Sequence, residues 1–107
     1  MEHFHGAATR VPADATAYAV RQPGFNCLVL GEWIDAAQSD ANIRWVRDGY
    51  AAIQPFGSDR RYANYLADDD MTESGLLAAY GANLPRLRAV KRKYDPENVF
   101  RENLNIR

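Results

Sequence analysis

The sequence predicts an α+β fold: an antiparallel sheet of about four strands, one long amphipathic helix, and C-terminal helices. Three observations carry this expectation. Short segments rich in aromatic and β-branched residues recur between turn signals, around Thr16–Arg21, Phe25–Ile34 and Arg60–Leu66. Ile43, Val46, Tyr50 and Ile53 fall at helical spacing and give one apolar stripe. Leu84, Leu87, Val90 and Tyr94 repeat that spacing near the end of the chain.

In order, residues 3–10 read as a short strand loosened by Gly6, and Val11-Pro12-Ala13-Asp14-Ala15 as a connector, because Pro12 has no ladder donor. Thr16 to Arg21 reads as a strand ended by the turn Gln22-Pro23-Gly24. Phe25 to Ile34 is the strongest strand. Phe25, Cys27 and Val29 share one face and Leu28 and Leu30 the other, as in a central strand covered on both sides. Asp35 to Ile53 reads as the long helix, capped by Asp35 or Ser39. Arg60 to Leu66 reads as an aromatic strand leading into the acidic loop Ala67–Glu73. A short helix is expected over Gly75–Tyr80 and a longer one over Leu84–Tyr94. Asp95 then caps a final helical turn with Pro96 at its first position, where a missing N–H costs nothing.

Composition narrows the function. The 107 residues suit one domain or a fragment of one, and 47% hydrophobic with 25% charged residues is ordinary for a globular chain. A net charge of −1 offers no basic field for nucleic acid. No apolar run reaches the ~18 residues of a membrane span. The N-terminus lacks the basic-then-apolar pattern of a signal peptide, and Cys27 is the single cysteine, so a reducing, cytoplasmic location is expected.

Chemistry concentrates in Tyr62-Ala63-Asn64-Tyr65. On a strand, Tyr62 and Asn64 share a face and Tyr65 takes the other, unless a bend into Asp68-Asp69-Asp70 turns it back. A phenol, ordinarily titrating near 10, acts as a general base only where donors or cations stabilise the phenolate. A carboxamide donates and accepts at once, which suits the edge of a flavin or a sugar. Aromatic residues also favour strands simply because they pack.

Tyr62-Ala63-Asn64-Tyr65 and the later Lys91-Arg92-Lys93-Tyr94-Asp95-Pro96-Glu97-Asn98-Val99-Phe100 resemble the C-terminal region of the berberine bridge enzyme-like FAD-linked oxidoreductases. Gly6-Ala7, Ala15-Thr16-Ala17, Arg21, Trp33, Trp45 and the ending Asn103-Leu104-Asn105-Ile106 extend the resemblance over nearly the whole chain. It implies a single berberine-like domain over residues 1–107, part of the substrate domain of an oxidase acting on an alcohol, a sugar or a secondary metabolite. It implies Tyr65 as catalytic base, and Tyr62 and Asn64 as residues lining or orienting the flavin pocket. It further implies FAD as cofactor, a small-molecule substrate, and an FAD-binding domain supplied in cis or in trans. Nothing in these residues resembles the family's pyrophosphate-binding loop. His3, His5 and Cys27 do not stand in the context of the family's covalent flavin attachment.

A non-enzymatic reading stands beside it. A free-standing domain with a covered central strand and a long amphipathic helix is suited to binding or to homodimerisation. The remaining residues read plainly. His3 and His5 lack an evident third ligand and read as a frayed terminus or a strand-edge pair, so no metal is expected. Cys27 reads as a small buried hydrophobe, although rough alignment with the family puts it near a strand lining the substrate pocket. Asp68, Asp69, Asp70 and Glu73 read as a solvated loop. Arg86, Arg88, Lys91, Arg92 and Lys93 read as a run favouring a helix C-terminus, with phosphate binding as the other reading.

Overall fold

A computed structural model of the chain describes residues 1–102 and 104–107, without the side chain of Asp68; Asn103, from the expected family ending, lies outside the described residues. Strand β1 (Glu2–Phe4) is followed by the short helix α1 (Ala7–Arg10) and strand β2 (Gly24–Asn26). Helices α2 (Ser39–Ile53), α3 (Glu73–Tyr80) and α4 (Leu84–Tyr94) follow, with short 3₁₀ turns between them.

The expected sheet of about four strands is corrected to two among the described residues: β1 pairs with β2 in a small antiparallel sheet. Residues 16–21 and 28–34 join no ladder, and Ala63–Tyr65 is a 3₁₀ turn in place of a strand. The reason is physical. Strand character in a side-chain pattern becomes a strand only when a neighbour takes up the backbone N–H and C=O groups. Within the expected strand at 3–10, Gly6 at φ 68° breaks the extended course and α1 begins at the next residue.

The chain divides into two compact units, residues 1–2 with 25–59 and residues 3–24 with 60–107. In the first, Asp35 accepts from Ala37 N at 2.9 Å and caps the 3₁₀ turn Ala36–Gln38, so α2 starts four residues later than expected. Trp33 Nε1 donates to Ser39 Oγ at 2.9 Å and ties the preceding segment to the start of α2. Val46 lies so near Gly31 that a Cβ there would sit 2.5 Å from its Cγ2. None of this unit's residues is buried. Trp45 and Ile53 on α2 are exposed, as are Leu30, Ile34 and Phe56. Cys27, expected to be buried, is exposed, because the strand that would have been covered on both faces has no cover.

The second unit holds the core: Ala19, Leu76, Ala79 and Leu84 are buried, Leu84 at 1% exposure. Thr72 caps α3 by accepting from Gly75 N at 3.2 Å. Gly81 (φ 52°) turns the chain into α4. The buried Asn83 donates to the carbonyls of Ala13 at 2.7 Å and Thr16 at 3.0 Å, clipping the connector onto the start of α4. Across the two helices, Arg88 forks onto both carboxylate oxygens of Glu73.

After α4 the chain makes a β-turn, with Asn98 N donating to Asp95 O at 3.0 Å and Asn98 at φ 55°, where a final helical turn was expected. Asp95 is still its organiser. One carboxylate oxygen accepts from Val99 N at 2.7 Å and the other from Phe100 N at 3.0 Å. Lys91 Nζ bonds both that carboxylate and the Phe100 carbonyl. The Lys91 ammonium first, then the two backbone N–H groups, hold the Asp95 carboxyl below the usual carboxylate range.

A carboxyl depressed in the folded state makes the unfolded chain the better proton acceptor. Its stabilisation is therefore complete above the unfolded value, about 4, and is lost as pH falls below it. Asp95→Asn is expected to lower the thermal midpoint at pH 7 and to weaken its fall between about pH 4 and pH 2. Part of that fall will remain, because Arg88 depresses Glu73 in the same direction. Circular dichroism melts across this range measure both effects.

Candidate functional site

The second unit contains Tyr62, Asn64 and Tyr65. Tyr62 (φ −83°, ψ 120°) precedes the 3₁₀ turn Ala63–Tyr65, and Tyr65 N donates to Tyr62 O at 2.9 Å. A 3₁₀ turn has three residues per turn, so side chains at i and i+3 eclipse. Tyr62 and Tyr65 therefore meet instead of pointing to opposite faces. Their rings stand edge to face, with centroids 5.0 Å apart and planes at 85°. Asn64 Nδ2 donates to the Tyr62 hydroxyl at 2.9 Å. The three motif residues are thus joined in one cluster by the bend.

Further rings extend it. Tyr18 meets Tyr62 edge to face at 5.8 Å and 86°, and Phe4 lies 5.8 Å from Tyr18. The Arg21 guanidinium sits 4.7 Å over the Tyr18 ring. Tyr18 and Tyr62 are half-buried, while Tyr65 is 43% exposed. Tyr18 was not singled out from the sequence. Its signal is the Tyr18…Arg21 spacing, which brings a cation to an aromatic face once the segment turns.

The turn is anchored on both sides. Arg61 N donates to Ala78 O on α3 at 3.1 Å, and Arg60 Nη1 reaches Ala19 O at 3.4 Å. Arg61 also pairs with Asp70, whose second carboxylate oxygen accepts from Ala67 N at 3.1 Å. Asp70, expected in a solvated loop, is instead the latch of the loop that follows the motif. The Asp70 carbonyl accepts from Thr72 N at 2.8 Å and faces Gly75, where a Cβ would lie 1.9 Å from it.

The other expected site residues stand apart from this cluster. His3 and His5 stack on each other at 4.5 Å. Among the described residues no group of three His, Cys, Asp or Glu could hold a metal. Arg88 and Lys91 of the basic run are taken up by Glu73 and Asp95. Lys93 lies 5.0 Å over the Tyr94 ring. Chemically, the cluster offers a solvent-facing phenol that can transfer a proton and an exposed carboxamide with one donor and one acceptor function. Such a pair fits the edge of a planar heterocycle of alternating N–H and C=O groups, a flavin among them.

The family described as "Berberine and berberine like" matches residues 61–107, a span that begins at the residue before Tyr62 and includes the Asp95 turn. Residues 61–107 belong to this family. The chain is 41% identical over 99 residues to the uncharacterized FAD-linked oxidoreductase YvdP of Bacillus subtilis, covering 92% of this chain and 22% of that protein. It is 34% identical to the aclacinomycin-N/aclacinomycin-A oxidase of Streptomyces galilaeus, over 97% of this chain and 22% of that enzyme. It is also 34% identical to berberine bridge enzyme-like 17 of Arabidopsis thaliana, over 92% and 21%. The chain thus spans about a fifth of the length of the curated relatives it matches. No solved structure matches it.

Because the added methyl at residue 75 meets backbone and not a movable side chain, Gly75→Ala must displace the Asp70 latch. A destabilisation of about 1–3 kcal/mol is expected, by analogy with overpacking in a close-packed core. Thermal unfolding reads it directly, and an unchanged midpoint would show that the latch moves freely.

Proposed function

We propose that this chain forms the C-terminal part of the substrate domain of an FAD-dependent oxidoreductase that oxidises an alcohol, a sugar or a secondary metabolite. In this reading it provides one wall of the site where substrate meets flavin. The observation that carries it is the Tyr62–Asn64–Tyr65 cluster. A family motif folds into a single turn, with the Tyr62 phenol held by an amide and the Tyr65 phenol left at the surface. FAD, when bound, takes up the hydride. Tyr65, as its phenolate, would take the proton from the substrate hydroxyl on Oη and become the neutral phenol, and Tyr62 and Asn64 would line or orient the flavin pocket. The FAD-binding domain comes from polypeptide beyond these residues, in cis or in trans. The exposed apolar side chains of α2 and residues 28–34 support such a partner, since each forgoes part of the ~1.5–3 kcal/mol that full burial would supply.

The same exposed side chains favour a second reading, a binding or homodimerisation module without catalysis. Sedimentation separates the two, because a stable dimer that does not take up flavin would favour the module.

The chain, combined with FAD and a separately expressed FAD-binding domain of the family, is expected to give anaerobic flavin bleaching by substrate. Tyr65→Phe should slow the bleaching by on the order of 10² or more, with the flavin spectrum unchanged. Equal rates for the two chains would remove Tyr65 from the role of base.

A further inference from the structure

The structure assigns to Tyr18, clamped by Arg21, the role of a positioning residue for the Tyr62–Tyr65 turn, an inference that rests on the reading of Tyr65 as the base. Arg21 spends all three of its donor nitrogens on the chain that precedes it, two of them within Thr16–Tyr18 and the third on α1. Nε donates to the Tyr18 carbonyl at 3.2 Å, one terminal nitrogen to Ala8 O at 3.1 Å, and the other to Thr16 Oγ1 at 2.7 Å. The same guanidinium covers the Tyr18 ring, so backbone and ring of residue 18 are fixed together. Its neighbour Ala19 is buried in the core and is tied by its carbonyl to Arg60, two residues before Tyr62.

Tyr18 then meets Tyr62 edge to face, and Tyr62 in turn meets Tyr65 edge to face. Each such contact favours the perpendicular arrangement seen here over a face-to-face one, because the positive edge of one ring seeks the negative face of the other. Two perpendicular contacts in series carry the orientation fixed at Arg21 out to the exposed phenol. Tyr65, at the surface, lies at the outer end of this series. A ring held only by a 3₁₀ turn would be free to swing, and displacement of a reacting group by about 1 Å can cost on the order of 100-fold in rate.

Two measurements test this, one of which needs no flavin. In NMR spectra of the chain alone, Tyr18→Leu should shift the Asn64 side-chain amide and Tyr65 ring signals, whereas Tyr18→Phe, which keeps the ring, should restore them. Unchanged Asn64 and Tyr65 signals in Tyr18→Leu would overturn the inference whatever the chemistry of the site. In the complex with the FAD-binding domain, Tyr18→Leu should slow flavin reduction at saturating substrate by about tenfold, with the half-saturating concentration within about twofold. Tyr18→Phe should recover most of that rate. Combined with Tyr65→Phe, Tyr18→Leu should add nothing, because it acts through the phenol already removed; a further tenfold loss would mark it as general packing and overturn the inference. If Tyr65→Phe alone has no effect, the base reading fails while the spectra still decide the positioning. If Tyr65→Phe slows reduction and Tyr18→Leu does not, the positioning fails alone. Should Tyr18→Leu not fold, Arg21→Gln keeps the ring and removes its clamp; it should shift the same signals, and unshifted signals would count against the proposal.

Discussion

Asp70 uses three oxygens to hold the stretch between the core and the aromatic turn. Its carboxylate joins Arg61, the residue before Tyr62, to Ala67 N, the first backbone donor after Leu66. Its carbonyl accepts from Thr72 N and presses against the bare face of Gly75 at the start of α3. A loop that carries exposed aromatic rings has little apolar burial of its own to order it, and the entropy of fixing each residue is about 1–2 kcal/mol. Closing that loop at both ends on α3, which holds the buried Leu76 and Ala79, is how the second unit keeps a defined turn at its surface. The partly exposed ion pair contributes modestly as a charge interaction. Its greater effect is geometric, since it fixes where the loop begins and ends.

The two units differ in what holds them. Residues 3–24 with 60–107 have a small core, a buried carboxamide with both donors used, and a fork between α3 and α4. Residues 1–2 with 25–59 have no buried residue and rely on close approaches at Gly31 and Gly49 and on the Trp33–Ser39 bond. Phe56, at 90% exposure, contributes almost nothing from burial there, and Trp45 remains mostly exposed. A 15-residue helix is near the length at which isolated helices become marginal, so α2 needs an apolar partner to be held firmly.

The three longer helices were legible because their information is local, whereas the four-residue α1 was read as strand. Leu84–Tyr94 begins and ends where Leu84, Leu87, Val90 and the Asp95-Pro96 stop place it, and α3 gains only Glu73 and Ser74 over the expected span. Strands were not, because a strand is a relation between segments. Phe25–Ile34 has the right residues, yet only its first two take part in a strand. The motif Tyr62-Ala63-Asn64-Tyr65 was legible as chemistry, while its conformation turned on contacts outside it: Arg61 with Asp70, and Tyr18 with Tyr62. The Asp95 turn shows the same limit in miniature. Asp-Pro announces a cap, but a carboxylate shared between Val99 N and Phe100 N closes a β-turn instead of opening a helix.

Exposure sets what the Tyr65 phenol can do. In water a nearby cation or dipole is strongly screened, and the same group acts several times more strongly once a low-dielectric cover excludes solvent. On the proposed reading, the chain therefore supplies position and leaves activation to whatever covers Tyr65. Position is costly to provide from outside, because it requires a rigid path to a core. Tyr18, Tyr62 and the Asn64–Tyr62 bond form such a path within one unit. Exclusion of water needs only a second surface brought against the first. If that reading holds, a segment with a small core needs to supply only a geometrically defined phenol, and the exclusion of water falls to the surface brought against it.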